Sequence, residues 1–221
     1  MYKWLSYPLA MDAPRPPAIP APQLSEYMSI EADGANVQML QFYNHTGTHL
    51  DTAAHVLKDG ISINAFGPED LIYRRIAVIE LSLPDDTVVT RAHLAGYEDS
   101  LKSCDACMIK FDTGKARAFE KERFSKHMPG LSHDAAQFIL ESAPGLRMVG
   151  TDSPSIACIN SLQETMTVHN YFFEHAPNEK FIIIEEMKLD TDLQKVKEII
   201  VSPWLVEGMN SGPCVIWAMA D

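Results

Sequence analysis

The sequence predicts a mixed α+β (α/β-like) domain, and three observations lead there. Short apolar runs of strand length alternate with stretches carrying helix caps and helical spacing. The 221 residues are 46% hydrophobic, enough to fill a substantial core and too apolar for a disordered chain. No internal repeat, low-complexity block or flexible linker divides them, so residues 1–221 are expected to form a single domain.

Taken in order, the chain opens with a proline-rich arm at about 8–23, holding Pro8, Pro14, Pro16, Pro17, Pro20 and Pro22. Proline offers no backbone donor and fixes φ, so this stretch should be extended, lying on the body of the domain or on a neighbouring subunit. Strand character follows at 37–43, 76–81, 106–111, 148–151, 181–185 and 214–218. Between these lie helical segments. Residues 68–71 open with acids in a first turn, and 90–94 follow a Thr90 cap. The strongest helix is expected over 132–142, where Ser132 caps, Asp134 sits in the first turn, and Ala136, Phe138, Ile139 and Leu140 supply apolar surface. Another is expected within 160–175, at least over 166–173.

Composition excludes several classes. A net charge of −12 disfavours nucleic acid, whose binding rests on neutralising phosphates, and it disfavours anionic membrane surfaces. No run of eighteen apolar residues exists, so no membrane span is expected. The opening Met1-Tyr2-Lys3-Trp4-Leu5-Ser6-Tyr7-Pro8 lacks the apolar stretch of a secretion signal, which makes a cytoplasmic location the expectation. Cys104, Cys107, Cys158 and Cys214 are too sparse for a disulfide framework. Cys104 and Cys107 form one C-x-x-C with no second pair for a zinc ribbon. The strand-like Met108-Ile109-Lys110-Phe111 follows where a redox motif would open a helix.

The chemistry concentrates in His45-Thr46-Gly47-Thr48-His49-Leu50-Asp51-Thr52-Ala53-Ala54-His55. On a strand, residues 45, 49, 51 and 55 share one face. A helix would also bring 45 beside 49 and 51 beside 55, but three β-branched threonines and Gly47 favour a strand running into a loop. Either geometry gathers three imidazoles and a carboxylate, a donor set suited to Zn²⁺ or Mn²⁺. Thr46 follows His45, so the segment is no H-E-x-x-H helix. No G-x-S-x-G elbow is present either. A further His and carboxylate could close the shell or bind a second ion. Outside the segment the choice lies among His93, His127, His133, His169, His175, Glu185 and Glu186.

This segment resembles the H-x-G-T-H-x-D-x-P-x-H motif of the cyclase family of metal-dependent hydrolases, which includes bacterial kynurenine formamidases and isatin hydrolases. The resemblance runs nearly end to end. Trp4-Leu5-Ser6-Tyr7-Pro8-Leu9 is similar to the family's D-L-S-H-P-L opening, and Phe111-Asp112-Thr113-Gly114 to its strand ending in T-G. Gly150-Thr151-Asp152-Ser153-Pro154-Ser155 is similar to G-x-D-x-x-S. His169 with Phe172-Phe173 stands at H-x-x-L-L, and 181–185 at the late strand ending in Glu.

The resemblance implies a swivelling β/β/α domain that assembles as a homodimer or higher homo-oligomer. It implies His45, His49, Asp51, His169 and Glu185 as ligands of one or two Zn²⁺ or Mn²⁺ ions, with His55 as catalytic acid/base. The implied activity is hydrolysis of a small amide by a metal-activated water, an arylformamide such as N-formylkynurenine. The alternatives are ring-opening of a cyclic amide, imide or lactone and, from another class, a metal-binding module without catalysis. A protein that interacts through its proline arm, with no metal, is a further reading. The chain also departs from the family pattern. Ala53 replaces a proline, Tyr7 a frequent His, and Lys115 a frequent Trp of the substrate pocket. The interval from His169 to Glu185 is longer than usual, which keeps His175 and Glu186 as alternatives. Asp152 and Ser155 read as turn formers or pocket-ordering groups. His93, His127 and His133 read as surface histidines.

Overall fold

The computed structural model describes residues 1–16, 18–160 and 162–221. Its strands are β1 Tyr2–Trp4, β2 Gln23–Met28, β3 Val37–Gln41, β4 His49–Asp51, β5 Ile72–Tyr73, β6 Ile76–Glu80, β7 Val88–Val89, β8 Ala106–Lys110, β9 Gly130–Leu131, β10 Met148–Thr151, β11 Ile182–Glu185, β12 Val196–Pro203 and β13 Ser211–Ala220. Its helices are α1 Ile30–Asp33, α2 Arg91–Leu94, α3 Glu98–Leu101, α4 Gly114–Phe119, α5 Lys121–His127, α6 His133–Ser142 and α7 Leu162–His175. This is the mixed α/β architecture expected from the sequence.

The main sheet runs β5-β12-β13-β4-β11-β10-β8-β6, with β1 added to β13. Strands β6, β8, β10 and β11 are parallel, while β4, β13, β12 and β5 pair antiparallel. The two ends of this path, β5 and β6, are separated in sequence by only Arg74 and Arg75. The sheet therefore curls until its edges lie side by side, as a nearly closed barrel. Asp105 fastens the seam by accepting the Arg74 and Arg75 amides at 3.1 and 2.9 Å.

Period-two alternation then assigns each strand residue to one of two cores. Ile79, Cys107, Ile109, Val149 and Ile183 point outward and pack under the helices, with Leu94, Leu101, Phe138, Ile139 and Phe172. Their neighbours Met108, Met148, Ile182 and Ile184 point into the barrel, where Leu50, Ile199, Val201 and Ile216 meet them. The central strands read as continuous apolar runs because both faces are covered. β12 and β13 alternate buried with more exposed positions because their outer face is not.

Helix α6 forms as the sequence predicts, with Ser132 Oγ accepting the Ala135 amide. At α2 the cap is inverted. Thr90 donates its amide to His93 Nδ1 at 3.0 Å, and the threonine hydroxyl caps no amide. Helix α7 buries Val168 and Phe172, a pair spaced one turn apart. Phe172 stacks on Phe181 with ring centroids 5.6 Å apart, a contact worth about 1 kcal/mol. That anchorage fixes the helix carrying His169. Among its described residues the arm makes neither helix nor strand between β1 and β2, but it turns where an extended course was expected, the Ala13 amide donating to the Ala10 carbonyl at 3.1 Å. Cys104, Cys107, Cys158 and Cys214 are all buried free thiols. No helix among the described residues is long and apolar enough to cross a membrane.

Gly60 sits where the chain after His55 doubles back. A Cβ there would lie 2.3 Å from the Ala53 carbonyl carbon, which belongs to the 3-10 turn Ala53–His55. Backbone cannot rotate away as a side chain can. Gly60→Ala is expected to lower unfolding stability by about 3 kcal/mol, as a shift of the urea midpoint. An unmoved midpoint would show that the loop yields freely.

Candidate metal centre

The motif segment is a strand for only three residues, His49–Asp51. His45 precedes it in a bend and His55 ends the 3-10 turn behind it, so the alternation expected from 45 to 55 holds only for 49 and 51. The four side chains converge through two turns instead. Gly47 adopts φ +67°, a left-handed conformation that folds His45 back against His49. Their nitrogens Nδ1 and Nε2 lie 3.2 Å apart. The threonines serve as ties. Thr46 Oγ1 donates to the Tyr43 carbonyl at 2.6 Å, Thr48 Oγ1 to that of Glu186 at 2.6 Å, and Thr52 Oγ1 to that of Asn210 at 2.8 Å.

Strand β4 lies between β11 and β13, at the place where the parallel half of the sheet meets the antiparallel half. Register sets His49 opposite Glu185. His49 Nε2 is 3.3 Å from Glu185 Oε2 and 3.8 Å from Asp51 Oδ1. From α7, His169 Nε2 comes within 3.1 Å of Glu185 Oε1 and 3.9 Å of Asp51 Oδ2. His45 Nδ1 is 3.2 Å from Asp51 Oδ1. The His55 ring lies tilted beside that of His45 with centroids 4.4 Å apart, and its centroid is 5.8 Å from that of His169. The structure thus gathers His45, His49, Asp51, His55, His169 and Glu185 in one place. His175 is exposed beside Glu174, outside the cluster. Glu186 takes a left-handed turn (φ +57°) to the far side of the sheet, where Arg117 Nε donates to it at 2.8 Å. His93 and His127 are exposed and His133 half-buried, all outside the cluster.

The residues fit a divalent cation, and two observations carry that fit. First, Asp51 is 1% exposed, yet neither of its oxygens receives a hydrogen bond from any described residue. A buried carboxylate without donors calls for a positive charge beside it. Second, His49 Nδ1 lies 2.9 Å from the Gly47 carbonyl and His169 Nδ1 lies 2.7 Å from that of Thr165. A carbonyl only accepts, so each Nδ1 carries a proton and each Nε2 faces the cluster, placed to bind a cation once it sheds its own proton. Ligand atoms of His49, Asp51 and Glu185 fall within 4.8 Å of one another, and so do those of His45, Asp51 and His55. The two groups share Asp51.

Burial works against a charge on His49, but Asp51 and Glu185 outweigh it and lift its pKa to about 9, so a cation entering the cluster takes the place of that proton. Burial likewise opposes ionisation of Glu185, but His169 and His49 hold it well below the usual carboxylate range. On His55 burial wins and its pKa falls, with Asp51 opposing, so the ring is neutral near pH 7.

A cavity of about 210 Å³ opens over the cluster. Its walls are Pro16, Ala18 and Ile19 from the arm, Pro154 and Ile159 from the loop after β10, and Met166 from α7. None of these walls is marked by a polar motif, so sequence reasoning missed them. Ser155 also lines this cavity and its Oγ accepts the Ala157 amide. Asp152 does not line it. It accepts the amides of Phe111 and Thr113 at 2.8 and 3.0 Å, a structural role. Lys115, expected to alter the substrate pocket, lies instead with Tyr7 in a separate cavity of about 690 Å³. The Tyr7 ring there carries the Arg117 guanidinium at 3.7 Å from its centroid.

A curled mixed sheet with a His/Asp/Glu cluster at its parallel–antiparallel junction defines a protein with a candidate metal centre. The chain belongs to the Cyclase family, whose model matches residues 4–157. It is 27% identical over 185 residues to a kynurenine formamidase of Bacillus cereus, covering 83% of this chain and 79% of that protein. It is 28% identical over 189 residues to the kynurenine formamidase of Bacillus anthracis, with the same shares covered. Its fold superposes on isatin hydrolase A from Labrenzia aggregata with a TM-score of 0.81 at 17% identity, covering 100% of this chain and 94% of that one.

A metal titration separates the gathered residues from the alternatives. Zn²⁺ or Mn²⁺ at about a hundred times its dissociation constant should stabilise the folded chain by about 2.7 kcal/mol, read as a rise in Tm. Asp51→Ala or His169→Ala should abolish most of that rise, and His175→Ala should leave it intact. A rise lost in His175→Ala alone would place the centre elsewhere.

Proposed function

We propose that this chain is a metal-dependent hydrolase of a small aryl amide of the arylformamide kind. The observation that carries the reading is the buried, donor-free carboxylate of Asp51 ringed by inward-facing imidazole nitrogens. His45, His49, Asp51, His169 and Glu185 would hold one or two Zn²⁺ or Mn²⁺ ions, whose mixed nitrogen and oxygen donors suit those metals. When bound, such an ion supplies Lewis-acid polarisation of an acyl oxygen and a more acidic water.

The protein's own groups do the rest. The cavity walls hold the acyl group over the cluster. Neutral His55, half-buried at the edge of the cluster, takes a proton from water as the water oxygen bonds to the acyl carbon. The carbon–nitrogen bond then breaks, and His55 returns that proton to the leaving nitrogen. The glycyl backbone and threonine ties around Gly47 keep the rings oriented throughout.

Ring-opening of a cyclic amide, imide or lactone is a second reading, favoured by the small size and apolar walls of the cavity. The kynurenine formamidases among the relatives support the first reading, and the isatin hydrolase fold is compatible with either. We also propose a homodimer or higher homo-oligomer as the working form.

His55→Ala decides the role of that ring. We expect bound metal to persist by elemental analysis while turnover of an arylformamide falls about 10²- to 10⁴-fold. Loss of metal with turnover would make His55 a ligand. Metal binding in the unaltered protein with no turnover on amides, imides or lactones would leave a metal-binding module.

A further inference from the structure

The proline arm is a wall of the site that no regular element supplies, and its attachment is specific. Arg15 Nε donates to the Ile19 carbonyl at 2.9 Å and Arg15 Nη1 to that of Ala13 at 3.3 Å. The Arg15 amide donates to Ser125 Oγ on α5 at 3.2 Å, and that hydroxyl donates to the Lys121 carbonyl at 2.7 Å. Lys121 Nζ in turn holds Asp12 at 2.6 Å. One side chain therefore closes the arm into a loop, and α5 pins the loop down.

The arm is also a partition. Pro16 and Ile19 line the cavity over the cluster and, on their other side, a second cavity of about 280 Å³. The second cavity contains Lys121 and Lys126, together with Arg15, Asp12 and Glu122. The first contains no lysine or arginine among the described residues. Its charged groups are Asp51, Glu185 and the histidines, all at the floor. The cations nearest the arm are thus on the wrong side of it for any ligand in the site.

We propose that the Arg15-closed arm is the specificity wall, and that it restricts the site to acyl compounds with an uncharged body. This rests on the hydrolase reading above. A carboxylate carried away from the reacting bond would lie against half-buried Ile19 and Ile159 and find no cationic partner there. Losing part of its hydration without gaining a partner is costly. Arylformamides without a charged side arm and cyclic amides meet the requirement. N-formylkynurenine, whose side arm bears both an ammonium and a carboxylate, does not. Ile19 is the specificity-determining contact, and Arg15 is a positioning residue.

The test uses a near-isosteric pair, 4-formamidobenzamide and 4-formamidobenzoate, with their uncatalysed hydrolysis rates correcting for electronic difference. The metal-loaded protein should favour the benzamide in kcat/KM by about tenfold or more. Ile19→Arg should reverse that preference. Arg15→Ala should raise KM for the benzamide about fivefold or more with kcat nearly unchanged, and weaken discrimination as the arm uncovers Lys121 and Lys126. Faster hydrogen exchange at the Ile19 amide, which donates to Pro16 at 2.9 Å, should accompany it. Equal turnover of the two compounds, or a preference untouched by Ile19→Arg, would overturn the proposal. If neither compound is hydrolysed, the hydrolase reading fails by itself. Calorimetric binding of the same pair then decides the wall's role, with benzamide-only binding supporting it and equal binding refuting it.

Discussion

The molecule is organised around a buried negative charge that only a cation or protonated imidazoles can offset. Asp51 sits on a three-residue strand buried along its whole length, and no aligned hydrogen bond reaches its oxygens, although His45 Nδ1 lies 3.2 Å from one of them. Burying an ion of this kind costs several kcal/mol unless another charge faces it. Four imidazoles and a second carboxylate crowd the same space, and the backbone has little freedom to relieve them. β4 is hydrogen-bonded on both sides, to β11 and to β13. The barrel fixes the carboxylate's position, and the fold must then place matching groups around it.

The sheet does this through its change of direction. Parallel strands deliver their C-terminal ends and following loops to one side, the usual place for a ligand in an α/β sheet. Glu185 ends β11 there, and the loop after β10 brings Ile156, whose amide donates to Glu185 Oε1 at 2.8 Å. That bond orients the carboxylate, as the Gly47 and Thr165 carbonyls orient His49 and His169. Immediately beyond, the chain reverses hand at Glu186. Two successive glutamates therefore serve opposite sides of the sheet, one at the cluster and one paired with Arg117.

Much of this was legible in the sequence, for identifiable reasons. The strands 76–81, 106–111, 148–151 and 181–185 are apolar along most of their length because they are covered on both faces, and the structure trims each by at most a residue or so. The helix over 132–142 announced itself by its cap. β1 and β2 went unread because their residues are exposed, and β12 because it mixes buried with half-exposed positions. In the cluster, dense histidines gave away the first motif. The choice of Glu185 over Glu186 depended on backbone handedness at one residue, which no composition reveals. The threonines that suggested an extended strand are in fact ties that hold its absence in place. Lys115 misled for a related reason. Sequence adjacency to a motif does not say on which side of the sheet a side chain emerges.

The arm shows how the same core can serve different chemistry. The ligand cluster belongs to strands and α7, whose positions are set by two hydrophobic cores and tolerate little change. The walls above it come from a proline-rich segment, a loop and one turn of α7, and their residues Ile19, Ile159 and Met166 belong to neither core. Variation there alters what can approach the cluster without disturbing what the cluster holds. Proline suits such a wall physically. It stiffens the turns of a segment that pairs with no strand and reduces the entropy lost on ordering it. A single arginine that satisfies two of its carbonyls then suffices to fix a surface that regular structure does not build. The cluster and the walls above it are in this way held by parts of the chain with different mechanical origins.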